Sequence, residues 1–282
     1  EEFEDAVRGA DLLICGVSSF GVEWFLGEVL PVIPDSLPVL SVTKGMLDTP
    51  EGGLISYPEY YESKLPGRRI SLNAIGGPCT SYELADRRHS AVFFCGRDIT
   101  VLRRLKSMLE TDYYHISLST DVHGIECAVA LKNAYALAVT LAVGMAEREC
   151  GEGCGLHYNP QAALFGQSIR EMRRLLKVFG CPEDNIIPGA GDLYVTIYGG
   201  RTRRLGTLLG RGMPFEKAMG SLEGVTLESV VITRRTASAL KKRIGKGLAS
   251  AADFPLLLHI DDIISNGAVA DIPWKSFETE VF

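Results

Sequence analysis

The chain has 282 residues, 46% of them hydrophobic and 23% charged, with a formal net charge of −6. This is globular composition, with length for one large domain or two smaller ones and a sizeable core. It excludes a general affinity for nucleic acid or anionic membrane, so any anion site must be local.

The opening, E-E-F-E-D-A-V-R-G-A, reads as a helix end running into a strand, with no secretory leader, as if in mid-domain. Asp11–Ser18 is a continuous apolar strand of the kind buried on both faces of a parallel sheet. Phe20–Leu30 follows as a helix stopped by Pro31 and Pro34. Pro38–Thr43 is the second strand, closed by Lys44-Gly45, and Ile70–Ile75 the third, ending in Gly76-Gly77-Pro78. A short helix over Thr80–Arg88, strands at Ala91–Cys95 and Tyr114–Ser119, and a helix over Ile99–Glu110 complete this half. Strand–helix alternation predicts an α/β layer on a mostly parallel sheet, whose ligands gather at the carboxyl ends of the strands. Three such ends carry polar or glycine-rich sequence: Ser18-Ser19, Thr43-Lys44-Gly45 and 76–80. Each alone is an ordinary turn; together they predict a shared cleft.

At about residue 120 the period changes, which divides the chain into 1–120 and a helical 121–282. Residues 122–146 form a helix apolar on all sides, hence buried. Its longest uncharged run, 133–146, is shorter than the ~20 residues of a bilayer span. A polar, glycine-rich loop follows at 148–157, then an amphipathic helix over Pro160–Phe179 ended by Gly180. Residues 184–200 read as irregular and glycine-rich. Helices resume over Arg201–Leu209, Pro214–Gly220, Thr226–Arg243 and Phe254–Ser265.

Most of the seven cysteines sit in apolar runs, as Cys15, Cys95 and Cys127 do. They form no disulfide framework, which fits a reducing, cytoplasmic setting. Cys150, Cys154 and His157, spaced C-x3-C-x2-H, lack the second pair that completes a tetrahedral zinc site, and no metal is expected.

Lys132 lies in the middle of the apolar helix. A buried lysine is costly unless paired or deprotonated. Its neighbours three and four positions away, Ala128, Val129, Tyr135 and Ala136, include no acid. Glu126, six residues back, points elsewhere around the axis. Either Lys132 reaches solvent or a distant acid meets it. Asp192, flanked by glycine and apolar residues, is the candidate, although it reads equally well as a helix N-cap. Gly199-Gly200 introduces Arg201 at a helix start, where backbone N–H groups, the helix dipole and a guanidinium suit a phosphate-sized anion. The alternative is a solvated basic face shared with Arg203, Arg204 and Arg211. The dinucleotide fingerprint G-x-G-x-x-G does not occur; Gly189-Ala-Gly191 is its nearest fragment.

With these residues in hand, the chain resembles NAD(P)-dependent glycerol-3-phosphate dehydrogenase. The matching signatures are V-T-K-G at 42–45, G-G-P at 76–78 and D-V-x-G-I-E-x-x-x-A-L-K-N at 121–133. N-P-Q-A-A-L at 159–164, G-x-G-D-L at 189–193, Y-G-G-R-x-R-R at 198–204 and L-G-x-G at 209–212 follow in the family's order. The resemblance implies a partial Rossmann-type parallel-sheet domain followed by an all-α substrate domain. It further implies reversible hydride transfer between sn-glycerol 3-phosphate and NAD or NADP, and a homodimer. It makes Lys132 the catalytic lysine at the substrate's C2 oxygen, accompanied by Asp192 and Thr196. It assigns Lys44, Gly77, Asn133, Arg201 and Thr202 to the substrate, and Ser18, Lys44, Ser81, Arg201 and Glu223 to the cofactor. Thr202 replaces the family's asparagine and Cys79 its Ser/Thr hydroxyl. The family's first three strands, with the glycine fingerprint that holds the pyrophosphate, do not appear, and the chain as it stands is expected to bind NAD poorly. Two alternatives stay open: a related β-hydroxyacid-type dehydrogenase without need of a phosphate site, and a truncated, non-catalytic homologue.

Overall fold

A computed structural model describes residues 2–155, 157–222 and 227–277. Helix α1 (Glu2–Val7) leads into strand β1 (Leu13–Cys15). Residues 19–30 are helical but irregular, passing from 3-10 geometry through α2 (Val22–Trp24) to a π turn before Pro31. Strand β2 (Val39–Ser41) precedes a hairpin of β3 (Met46–Asp48) and β4 (Leu54–Ser56), then α3 (Tyr57–Lys64). Next come β5 (Leu72–Gly76), α4 (Ser81–Ala85), β6 (Ser90–Cys95), α5 (Ile99–Leu109) and β7 (Tyr114–Ser119). The helical part comprises α6 (Val122–Cys150), α7 (Tyr158–Val178), α8 (Ile186–Thr196), α9 (Gly200–Gly210), α10 (Phe215–Gly220), α11 (Glu228–Gly245) and α12 (Pro255–Asn266).

The main sheet has the order β1-β2-β5-β6-β7. Strands β1, β2 and β5 are parallel, β6 runs antiparallel to β5, and β7 is parallel to β6. The carboxyl ends of β1, β2 and β5 therefore share one edge, where Ser18, Lys44 and Gly77 follow them. The fold is mixed α/β with a parallel-dominated sheet, as the alternation predicts. Three local readings change. Strand β1 is the edge of the described sheet, and its Ile14 is 54% exposed rather than covered on both faces. The β3–β4 hairpin and α3 interrupt what reads as a plain connection; Ser56 and Glu59 form a reciprocal capping box with Pro58 in the first turn, the usual mark of a helix start. Residues 186–196 are a helix in spite of two glycines.

Packing explains that last difference. A Cβ on Gly189 would lie 2.9 Å from the Ala128 carbonyl oxygen, and one on Gly191 3.2 Å from Pro78. The glycines let α8 press against α6 and the turn after β5, and tertiary burial outweighs the helix propensity they forfeit. Helix α9 approaches α6 by the same device: a Cβ on Gly210 would stand 2.1 Å from the Leu141 carbonyl oxygen.

Helix α6 is the axis of the molecule, with α7, α8, α9, α11 and α12 around it. By length and composition it could cross a bilayer, yet its apolar window is 100% buried inside the protein. It runs to Cys150, so the following loop begins at Gly151, with φ +91°. Met46 and Leu54 of the hairpin enter the same core as α6 and its neighbours. Arg235 of α11 donates to the Met46 carbonyl at 2.9 Å, and Ser238 donates to Asp48 at 3.0 Å.

Candidate active site

The all-round burial of α6 removes water from Lys132, which is 8% exposed. The acid missing from its own helix comes from α8. Lys132 Nζ donates to Asp192 Oδ1 at 2.8 Å and to Thr196 Oγ1 at 2.8 Å. Thr196, one turn after Asp192, in turn donates to the Asp192 carbonyl at 2.7 Å. Asp192 sits inside α8 rather than at its N-cap, and is 2% exposed.

Lys44 occupies the other Asp192 oxygen. Its Nζ donates to Asp192 Oδ2 and, at 3.3 Å, to the Gly77 carbonyl. Gly77 has φ +110°, a conformation that favours glycine, and this turns its carbonyl toward the lysine. One buried carboxylate thus faces two ammonium groups. Burial holds the Lys132 pKa below the ordinary lysine range; Asp192 opposes the shift and Lys44 adds to it.

Beside this cluster is a cavity of about 330 Å³ lined by Ser18, Asn133, Thr196, Arg201, Thr202 and Glu228, among others. The N-terminus of α9, with Gly199 and Gly200, forms part of the wall. A smaller space adjoins it, sharing Asn133 and Glu228 and lined also by Ser19, Lys44, Tyr57 and Arg235. Two of the neighbouring basic residues are engaged elsewhere: Arg203 donates to the Ile197 carbonyl at 2.7 Å, and Arg211 pairs with Glu147 and Glu152. A larger cavity, about 400 Å³, lies apart among Arg69, Arg97 and Arg104. Arg97 and Arg104 there are paired with Glu62 and Asp11, and none of the Lys132 cluster lines it. The chemistry therefore points to the smaller cavity.

The sequence-derived residues converge unevenly. Lys132, Asp192, Thr196, Lys44 and Gly77 form one bonded cluster, while Asn133, Arg201, Thr202 and Ser18 line the adjoining cavity. Ser81 begins α4, is exposed, and lines neither space. Glu223 lies outside the described residues. Cys79 is partly buried, which raises its thiol pKa. Cys150 and Cys154, in the polar, glycine-rich stretch at the end of α6, are joined as a disulfide with His157 nearby, which corrects the expectation of cysteines without disulfides for this pair. Sequence reasoning overlooks Tyr57, Glu228 and Arg235. The Ser56 capping box could have located Tyr57; nothing in the sequence separates Glu228 and Arg235 from other charges on α11.

Glu126 does not point into solvent. It is 1% exposed, and neither carboxyl oxygen has a hydrogen-bond partner in the described structure. Burial raises its pKa to about 8, against a smaller lowering by Lys44 and with a further rise from Glu59. It is a neutral carboxylic acid at pH 7, on the turn of α6 between His123 and Ala130.

Comparison with known proteins adds the context of this arrangement. Residues 121–272 match the family model described as NAD-dependent glycerol-3-phosphate dehydrogenase C-terminus. The NADP(+)-dependent glycerol-3-phosphate dehydrogenase of Archaeoglobus fulgidus is 30% identical over 271 residues, covering 95% of this chain and 77% of that protein. Glycerol-3-phosphate dehydrogenase [NAD(P)+] 1 of Mycobacterium bovis is 27% identical over 288 residues, covering 99% of this chain and 77% of that protein. In fold, the structure of Plasmodium falciparum glycerol-3-phosphate dehydrogenase aligns with a TM-score of 0.78 at 20% identity, covering 99% of this chain and 76% of the other.

Proposed function

The chain belongs to the NAD-dependent glycerol-3-phosphate dehydrogenase family, and from that premise we propose how its residues divide the reaction. The activity is that of an oxidoreductase: reversible hydride transfer between sn-glycerol 3-phosphate and NAD(P)+, giving dihydroxyacetone phosphate. The alternative readings, a β-hydroxyacid-type enzyme and a non-catalytic homologue, are not favoured by these relatives.

Oxidation at C2 requires the hydroxyl to lose its proton as hydride leaves. In our reading Lys132 takes that proton, and returns one to the carbonyl oxygen in the reverse direction. The observation that carries this is the Lys132–Asp192–Thr196 cluster, whose Thr196 lines a cavity that also holds Arg201. A lysine must lose affinity for its proton to act as a base near neutrality. Desolvation on α6 supplies this, and the second ammonium, Lys44, leaves Asp192 unable to compensate both charges. Asp192 and Thr196 fix the direction of the Nζ lone pair. Arg201, with the backbone N–H groups of the α9 N-terminus, takes the phosphate. Asn133, Thr202, Lys44 and the Gly77 turn orient the rest of the substrate.

The residues suit the reacting end of a nicotinamide cofactor. The cavity opens at the carboxyl end of β1 beside Ser18, where open α/β sheets take their ligands. A nicotinamide held there would supply the hydride acceptor. Ser18, Lys44, Ser81, Arg201 and Glu223 are the cofactor contacts of this reading. The pyrophosphate is assigned to no residue, since G-x-G-x-x-G does not occur in the 282 residues. The same reading divides the chain into a nucleotide part, 1–120, and a catalytic part, 121–282, and includes a homodimer and a cytoplasmic location. Light scattering in solution tests the dimer.

Lys132→Ala tests the mechanism. Turnover should fall by at least about 10³-fold with the circular dichroism spectrum unchanged. Turnover near the wild-type rate would remove Lys132 from the reaction.

A further inference from the structure

The turn that follows α6 is shaped by its backbone rather than by packing. Its sequence, C-G-E-G-C-G over 150–155, sets Gly151, Gly153 and Gly155 at φ +91°, +77° and +103°, yet a Cβ on any of them would meet nothing within 4 Å. Conformation alone therefore requires glycine here. The result is a tight reversal. The Gly151 N–H returns to the Glu147 carbonyl at 2.9 Å and the Cys154 N–H to the Gly151 carbonyl at 3.2 Å, which brings the Cα atoms of Cys150 and Cys154 to 5.8 Å. Arg211, at the end of α9, anchors the turn by pairing with Glu147 at 2.6 Å and Glu152 at 2.8 Å. His157 stands at the N-cap of α7, and its ring makes no capping bond. Its ring and the two sulfurs present ligand atoms that all lie within 4.8 Å of one another. Among the described residues no other three potential ligands gather so closely.

Two sulfurs and an imidazole on one exposed turn can bind each other or a metal. We propose that Cys150 and Cys154 exchange between the disulfide and a dithiolate that, with His157, holds one zinc-class divalent ion. Three ligands are the count of an open zinc site, whose fourth position water completes, so the second pair that the sequence lacks is not needed. Two thiolates and a neutral imidazole cancel the charge of the ion, and this soft donor set selects zinc over magnesium or calcium. Cys150 and His157 are exposed and Cys154 half-buried, so reductant and metal both have access. Both sulfurs also lie beside the Ala146 carbonyl oxygen, at 2.9 and 3.5 Å, which accepts from the thiols once the bridge opens. The ion would tie the end of α6 to the start of α7. Along a straight helix Cys150 is about 27 Å from Lys132, so the site is separate from the candidate active site and does not rest on its chemistry.

The exchange balances with a dithiol as the reductant. One thiolate of the dithiol attacks a sulfur of the bridge; the Cys150–Cys154 bond breaks, a mixed disulfide forms, and the departing cysteine sulfur takes a proton. The second thiol of the reductant then attacks the mixed disulfide, frees the other cysteine and closes the reductant as its own disulfide. Two electrons and two protons have passed to the protein. Zinc next forms two Zn–S bonds and one Zn–N bond, and the two thiol protons go to solvent.

Cobalt(II) is the probe, because it takes the place of zinc and its thiolate complexes absorb light. The purified chain is reduced with a dithiol, freed of it without air, and titrated with cobalt beside a sample oxidised with glutathione disulfide. The reduced protein should take one equivalent, with a thiolate-to-cobalt charge-transfer band that zinc abolishes, and the oxidised protein should take none. Cys150→Ser should lose the band, and His157→Ala should weaken binding at least about tenfold, both with unchanged circular dichroism. No band in the reduced wild-type protein at a large excess of cobalt would overturn the proposal. So would a band of equal strength in Cys150→Ser, which would put the metal on other thiols, or equal binding by the oxidised protein.

Discussion

Glu126→Gln isolates the energetic consequence of burying an unpartnered carboxyl in α6. The substitution keeps the shape and removes the ionisation. In the unfolded chain Glu126 titrates near 4.5, and in the fold near 8. Below pH 4.5 both states hold the proton and the carboxyl contributes no pH dependence. Between 4.5 and 8 the unfolded chain releases it while the folded protein keeps it, so wild-type stability falls as pH rises. The slope is about 1.4 kcal/mol per pH unit, and across the whole interval the loss is on the order of 4–5 kcal/mol. Gln has no such slope. Urea unfolding followed by circular dichroism at several pH values between 5 and 8.5 measures the difference. The two proteins should be similar near pH 5, with the variant gaining steadily and levelling off above pH 8. Parallel curves for wild type and variant would refute the reasoning, since they would mean that the folded protein ionises Glu126 as readily as water does.

Three further outcomes follow from the site and its packing. Asp192→Asn leaves Lys132 and Lys44 facing each other without a carboxylate; denaturant unfolding at neutral pH should show a loss of about 3 kcal/mol, and the basic-group limb of the pH–rate profile should move to lower pH. Arg201→Ala should raise the KM for glycerol 3-phosphate at least about tenfold with a smaller change in kcat, measured in steady-state assays; an unchanged KM would remove the phosphate from Arg201. Gly210→Ala puts a Cβ 2.1 Å from the Leu141 carbonyl and should cost about 2 kcal/mol or more by parting α6 and α9, whereas Gly166→Ala, with open space around it in α7, should stabilise by about 0.5–1 kcal/mol.

Helix α6 shows where sequence alone is decisive. Its apolar residues on every side dictate burial, and that makes Lys132 anomalous before any coordinate is known. The order of short motifs around Lys132, Asp192 and Arg201 carries the family, because each is a local string that survives without knowledge of the fold. Alternation of strands and helices up to Ser119 gives the layer architecture, since periodicity is itself a property of the chain. What the sequence leaves open are relations between distant residues. Asp192 reads equally as an N-cap or a partner, and only the seating of α8 on α6, through Gly189 against Ala128, makes it the partner. Lys44, 148 residues before Asp192, shares that carboxylate because β2 ends on the same sheet edge as β5. The helix over 186–196 contradicts its glycines because packing, not propensity, holds it. Glu126 turns inward for the same reason: its helix is enclosed on every side, and the surrounding elements, not the residue, decide that water does not reach it.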